Sequence, residues 1–359
     1  MSGVVQSLDA LPLLGIVFQL LGYLVENLSY MSHTTVAVAI PITLAALCGV
    51  MCERSGVVNI GLEGIMLTAA FVGWMTAVAA VGLMGQGAPL PFFGATLPLL
   101  IGLAAAVAIG MLVSLLHAWL AIHARIDQII SGTIINIGAA GITGYLYSLV
   151  AGQSFQGAGS FSQIDVPQQI VDLPAIGWLL NAIFRQGPIG LTAIIVVIFL
   201  QVMLFRSRWG LRTRAAGEHP RAAETVGIDV IRLRYMNVVM SGALAALGGA
   251  WLSMENTNRF DANMTAGRGF IGLAAMIVGR WTPLGAFGAA LLFSSVTAFS
   301  ASLQIDPPSG DLGSLMGHVP GEFWEALPYL ITIIVLAGLI GRSVAPAADG
   351  VPYERESAT

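Results

Sequence analysis

Runs of about twenty apolar residues recur from one end of this chain to the other, and nothing else in it constrains the fold as tightly. A helix needs roughly 20 predominantly apolar residues to cross a hydrocarbon core. About ten such runs can be read, near residues 11–28, 34–52, 57–81, 92–121, 128–151, 188–205, 235–254, 269–278, 284–303 and 322–340. Only 9% of the 359 residues are charged and 56% are hydrophobic, against about 25% charged in an ordinary soluble domain. The expected fold class is therefore all-α, a polytopic membrane protein with about ten transmembrane helices. The run at 11–28 carries Glu26, and the run at 269–278 is short enough to be a half-helix or re-entrant segment, although an unbroken span is the preferred reading. The N-terminal dozen has no positive region, so no cleaved signal peptide is expected.

Arginine placement tests the helix count, because short cytoplasmic loops accumulate basic residues. With a cytoplasmic N-terminus and ten crossings, twelve of the fifteen arginines fall inside: Arg54, Arg125, the seven in 206–234, Arg280, Arg342 and Arg355. Arg185, Arg259 and Arg268 fall outside. Both termini are then cytoplasmic. The expected organisation is a transmembrane domain over 1–342, with an extracytoplasmic loop at 152–187 and a cytoplasmic loop at 206–234, then a tail at 343–359. The tail is polar, contains proline and is expected to be disordered. Within the outer loop, 176–184 is a short amphipathic stretch. Two halves of five helices would have opposite orientations, the arrangement of an inverted repeat. An Ile-Gly-Leu triplet in the third helix of each half, at Ile60 and Ile271, is consistent with that reading.

Several chemistries are excluded by composition. All fifteen basic residues are arginine, so there is no P-loop lysine or Schiff-base lysine, and any ATP hydrolysis belongs to another subunit. Net charge is −4 with no basic stripe, which disfavours nucleic acid. Five scattered histidines and two cysteines, Cys48 and Cys52, offer no metal-ligand spacing. No nucleophile elbow is present for a hydrolase.

Three stretches carry the functional signal. In 206–235, Pro220 suits the first turn of a helix, Arg221 and Glu224 lie three apart on one face, and Gly227 suits the position just past the end. This predicts a helix of about seven residues, about 10 Å long. It either docks into a groove on a soluble partner or merely meets anionic headgroups. In 52–64, Ser55, Asn59 and Glu63 are spaced to share one helix face. Glu63 within a span is costly unless it faces protein or a wet cavity, so it either lines a pathway or joins a packing network with Glu53 and Arg54. In 265–287, Arg268 and Arg280 bracket a short glycine-interrupted segment, the kind of element that points to a transport pathway. Arg268 has the alternative of pairing with Asp261 or Glu255. Gln128, Ser131 and Asn136, with Asp127, form one more polar patch at the start of the fifth helix, for which polar packing between helices is the preferred reading and pathway lining the alternative. The candidate pathway set is thus Asn59, Glu63, Gln128, Ser131, Asn136 and Arg268.

The blocks LAALCGVMCERSGVVNIGLEGIMLTAAFVGW, RIDQIISGTIIN, GLRTRAAGEHPRAAETVGID and TAGRGFIGLAAMIVGRWTPLGA resemble membrane permease subunits of bacterial ABC importers for nucleosides and simple sugars. The resemblance runs from about residue 41 to about residue 339. It implies the fold of the ribose-type permeases and no cofactor on this chain, with ATP and magnesium bound by a partner ATPase. It also implies three protein partners: an ATP-binding subunit, a second related permease, and a solute-binding lipoprotein or periplasmic protein. Residues Gly217, Glu218, Pro220, Ala222, Ala223 and Glu224 match the family's ATPase-contacting segment, in which Arg221 and Gly227 also lie. His219 stands where the family often has Asn. The function implied is inward transport of a nucleoside or related sugar across the bacterial inner membrane. The alternative reading is a secondary transporter or channel that couples an ion through Glu63 or Arg268.

Overall fold

The computed structural model describes residues 12–334, apart from 92, 151, 153–156, 172 and 174–175, together with 337 and 343–354. Its α-helices of six residues or more are α1 (Pro12–Glu26), α2 (Leu28–Glu53), α3 (Leu62–Met84), α4 (Leu97–Ala118), α5 (Gln128–Val150), α6 (Gly177–Phe184), α7 (Pro188–Arg206), α8 (Arg208–Glu218), α9 (Pro220–Thr225), α10 (Val230–Ala250), α11 (Arg268–Val278), α12 (Pro283–Ile305), α13 (Gly310–Gly317) and α14 (Gly321–Ile334). No strand occurs among the described residues. Wider π-type turns extend α4 to His123 and α10 to Asn256.

Helix α2 is the axis of the bundle. Every residue from Ala39 to Glu53 is buried, packed against α3, α10, α11 and α12. Small residues permit this: Gly272 and Gly49 sit where α11 crosses α2, and a Cβ at Gly272 would lie 2.6 Å from that of Ala45. Helices α5 and α7 are peripheral and expose Ile134, Ile137, Ile142, Ile195, Ile198 and Phe199.

Seven helices are long and apolar enough to cross a membrane: α2, α3, α4, α5, α7, α10 and α12. Of the other three runs, α11 has 11 residues and the described part of α14 has 14. The first run forms α1, which runs on into α2. A single residue, Asn27, joins it to α2, and the amide ladder continues through the joint, from Asn27 N–H to the Tyr23 carbonyl and from Met31 N–H to the Asn27 carbonyl. Tyr23 and Gln19 then reach Ser302, at the late end of α12, and the Leu312 amide in α13.

The described arginines sort by end. Arg54 donates to the carbonyls of Trp281 and Arg280, and Arg234 donates to the carbonyl of Ser55. Arg125 and the 207–229 connection lie at this same arginine-rich end. Arg185 is at the opposite end, where its carbonyl meets His33. Helix α6 lies there too, against the start of α2. The N-terminal stretch through residue 11, Arg342, Arg355 and the last residues of the tail lie outside the described residues.

The tail is where expectation and structure part most clearly. Residues 343–354, expected to be disordered, lie across the arginine-rich end with Ala348 and Tyr353 buried. Tyr353 joins an apolar cluster with Ala216, Ala223, Val230 and Leu233. A polar composition concealed the reason: the amides of Ala347 and Ala348, the Val351 carbonyl and the Glu354 carboxylate find partners on the bundle.

Candidate functional site

Two glycine-marked breaks meet inside the bundle. Expectation had a helix running from residue 57 with Ser55, Asn59 and Glu63 on one face; instead residues 54–61 leave the helix and α3 begins at Leu62. Gly56 causes the departure, with φ +88 and no room for a Cβ, which would lie 2.4 Å from Nη2 of Arg234. The three side chains therefore do not line a common helix face.

An extended backbone in a bundle interior has no ladder of its own, so each amide and carbonyl needs another partner. Side chains supply them. The Val58 amide donates to Gln128 Oε1 (2.7 Å) and the Val58 carbonyl accepts from Nε2 of His117 (2.9 Å). Asn136 Nδ2 donates to the Ile60 carbonyl (2.9 Å), while its Oδ1 accepts from the Gly64 amide (2.7 Å). Asn59 Oδ1 accepts from the Gly61 amide (3.0 Å), and the other nitrogen of His117 pairs with Ser131 (3.0 Å). Gly132 lets the segment touch α5, since a Cβ there would lie 2.7 Å from the Gly61 nitrogen. Asn59, Gln128, Ser131 and Asn136 are thus brought together, as the clamp on residues 57–61. His117, fully buried and part of the same clamp, was missed by sequence reasoning. Its i+14 spacing to Ser131 is the trace it leaves in the sequence, and it is not a recognisable motif.

The second break is the half-helix α11, about 16 Å long at 1.5 Å per residue, about half a hydrocarbon core. Its start lies deep in the bundle, where Glu63 meets it. Glu63 Oε1 accepts from the Gly267 amide and Oε2 from the Gly269 amide, both at 2.7 Å. A carboxylate at a helix N-terminus satisfies orphan amides and the positive end of the helix dipole. The Ile-Gly-Leu triplets lie on either side of this contact, one just before α3 and one in α11.

The packing network expected of Glu53, Arg54 and Glu63 does not form. Glu53 accepts from the Trp281 indole, Arg54 caps carbonyls at residues 280 and 281, and Glu63 caps α11. Arg268 pairs with neither Asp261 nor Glu255. Its Nη1 donates to the carbonyls of Met264 (3.0 Å) and Thr265 (3.2 Å), while Asp261 pairs with Arg259. Glu255 caps α7 through the amides of Ile189 (2.8 Å) and Gly190 (3.2 Å). Arg268 also borders a cavity of about 140 Å³ shared with Ile42, Thr297 and Tyr329.

At the arginine-rich end, α8 and α9 form a helical elbow around His219. Ser207 caps α8 through the Gly210 amide (3.1 Å). Helix α9 spans six residues, Pro220–Thr225, and the chain turns at Gly227, which has φ +83, in keeping with the predicted short helix. Ala223 faces inward, whereas Arg221, Ala222 and Val226 are exposed. Gly217 is buried against the turn after α2: a Cβ there would lie 2.4 Å from the Arg54 carbonyl oxygen. Burial against the protein holds the Arg54 guanidinium below its ordinary pKa, partly offset by Glu218. Among the described residues no three metal-ligating side chains gather, and Cys48 and Cys52 are free thiols.

The family described as branched-chain amino acid transport system / permease component matches residues 31–336. The guanosine ABC transporter permease protein NupQ of Bacillus subtilis is 40% identical over 332 residues, 92% of this chain and 98% of that protein. The nucleoside ABC transporter permease protein NupC of Lactococcus lactis is 36% identical over 322 residues, 87% of this chain and 93% of that protein. The guanosine ABC transporter permease protein NupP of Bacillus subtilis is 26% identical over 324 residues, 88% of this chain and 83% of that protein. With seven helices of spanning length and this match over most of its residues, the chain belongs to the permease-component family of the branched-chain amino acid transport system, as a multi-pass membrane protein.

Proposed function

We propose that this chain is the membrane permease subunit of an ATP-driven importer for nucleosides. The similarity to NupQ at 40% identity across nearly the full length of both proteins carries the reading. The proposed partners are an ATP-binding subunit that hydrolyses ATP with magnesium, a second related permease, and an extracytoplasmic solute-binding protein. The arginine-rich end is read as cytoplasmic, which puts the 206–234 connection and the tail inside.

The segment that couples to the ATPase is read as Gly217, Glu218, Pro220, Arg221, Ala222, Ala223, Glu224 and Gly227. Its support is a short helix whose outer face, Arg221, Ala222 and Val226, is exposed at that end. Closure of the ATPase dimer would move α9, and Gly217 would pass the motion to the turn after α2. The translocation role of Asn59, Gln128, Ser131 and Asn136 is proposed in a modified form. These side chains hold the broken segment beside the pathway, so the solute meets an element able to shift as a unit. Glu63 and Arg268 flank the start of α11 in the same element. The rival reading, ion coupling by Glu63, is weakened because both of its oxygens are occupied by backbone amides.

Ten crossings with an inverted repeat of five and five, and both termini cytoplasmic, are the finer reading. A reporter fused after Ser343 is expected to read cytoplasmic. One fused at the N-terminus separates ten crossings, which put it inside, from an α1 confined to the far end, which puts it outside. The decisive experiment is co-expression with the ATP-binding subunit and second permease, purification through this chain, and ATPase assay with a nucleoside-loaded binding protein. Stimulation supports the proposal; failure to co-purify any ATPase overturns it.

A further inference from the structure

Residues 343–354 reach α2, α8, α9, α10 and α11 at the arginine-rich end. Ser343 donates to the Ile277 carbonyl at the end of α11 (2.9 Å). The Ala347 amide donates to Glu218 (3.1 Å), and the Ala348 amide to the Gly217 carbonyl (2.8 Å). Tyr353 donates its hydroxyl to Glu224, so the strand of tail grips the elbow at both sides of His219. On its other edge, Arg234 of α10 bridges two partners. Its Nε donates to the Ser55 carbonyl and its Nη1 to the Val351 carbonyl, while its guanidinium lies 5.9 Å from the Tyr353 ring centroid. Asp349 lies beside Glu53 at the end of α2, Gly350 lies against Val58 of the extended segment, and Glu354 pairs with Arg125 ahead of α5.

We propose that this stretch is a strap that positions α9 on the core, so that motion of the elbow reaches the turn at Ser55 and the extended segment behind it. The inference rests on the coupling reading of α9. A loose terminal peptide would need none of these contacts. The strap joins α9 to Arg234 and Arg234 to Ser55, a continuous run of hydrogen bonds from the elbow to the break after α2. Tyr353 and Arg234 are positioning residues in this account, since they act through α9 and not on the solute.

The test uses the full transporter with its ATP-binding subunit, second permease and nucleoside-loaded binding protein. A chain terminated after Ser343 is expected to insert and to co-purify the ATPase. Its stimulation by the loaded binding protein should fall by about tenfold or more, within the usual range of coupling between sites, while basal ATPase activity is kept. Ala348→Pro, which removes one amide donor without shortening the chain, should lower stimulation by about fivefold, and it decides the matter if the truncated chain fails to fold. Tyr353→Phe should reproduce part of that loss with assembly unchanged. Wild-type stimulation and uptake in these variants would overturn the strap. Loss of ATPase co-purification in them would also overturn it, by placing the tail in the docking surface itself. Deleting residues 218–224 separates the two readings: if uptake survives that deletion, the coupling role of α9 fails whatever the strap does.

Discussion

Helices α11 and α7 begin alike. Each has a glycine at its N-cap, Gly267 and Gly187, with no side chain to accept from the first amides. In both, a glutamate from another helix supplies both oxygens, Glu63 in one and Glu255 in the other. The glycines make room for it: a Cβ on Gly269 would lie 2.7 Å from Glu63 Oε2, and one on Gly187 would lie 2.4 Å from the Glu255 carboxyl carbon. The difference is depth. Glu255 meets a full-length helix at the end of the bundle opposite the arginine-rich one. Glu63 meets a half-helix whose start is set in the interior. The same device is expected to matter more in the second place than in the first.

That contrast orders the expected effects. Glu63→Ala strands two buried amides and should cost about 3 kcal/mol of stability, read as a fall in the unfolding temperature of the purified protein with loss of uptake. Glu63→Gln keeps one acceptor and should recover part of it. Asn136→Ala removes the acceptor for Gly64 and the donor to Ile60, and should cost about 2 kcal/mol, with increased hydrogen exchange in residues 57–64. Glu255→Ala should cost about 1 kcal/mol, measured in the same unfolding assay. If it costs as much as Glu63→Ala, depth is not what separates the two caps.

The smallest effect concerns a carboxylate with no helix start to meet it. Asp349 faces Glu53 from α2 and Arg234 from α10, and burial, ahead of those neighbours, pushes its pKa up to about 6 from 3.8. The docked strap therefore holds its proton more tightly than the released one. Docking should weaken as pH rises from about 4 to about 6 and stay level above that. Protease cleavage of the tail across this range reads the effect, and Asp349→Asn should flatten the profile.

Helices that cap themselves carry their start signal in the sequence, yet the reading by apolar runs placed the starts of α4 and α10 near 92 and 235, whereas they begin at Leu97 and Val230. Thr96, Ser207, Asp229 and Thr282 each accept from an amide three residues on, and serine, threonine or aspartate before an apolar run marks a helix start. Glycine caps leave no such mark. The start of α3 was likewise read five residues early: Gly61 gives no signal, and the acceptor for the Gly64 amide, Asn136, lies on another helix. The polar residues themselves were found from sequence, since buried Asn, Gln and Glu in a span are costly. What Gln128, Asn136 and Glu63 hold depends on pairings 70 to 206 residues apart, which spacing along one helix does not encode. The tail was misread for the same reason: its partners are distant in sequence.

The extended segment also has an ordering in time. A helix satisfies its own amides as it emerges from synthesis, but Val58 depends on Gln128, 70 residues later, and Glu63 on Gly267, 204 residues later. The start of α3 must therefore wait in the membrane, incomplete, until α5 arrives to clamp it, and wait again for α11. A chain released after α5 would hold the first of these contacts and lack the second. The break after α2 is completed only by a half-helix that arrives about 200 residues later.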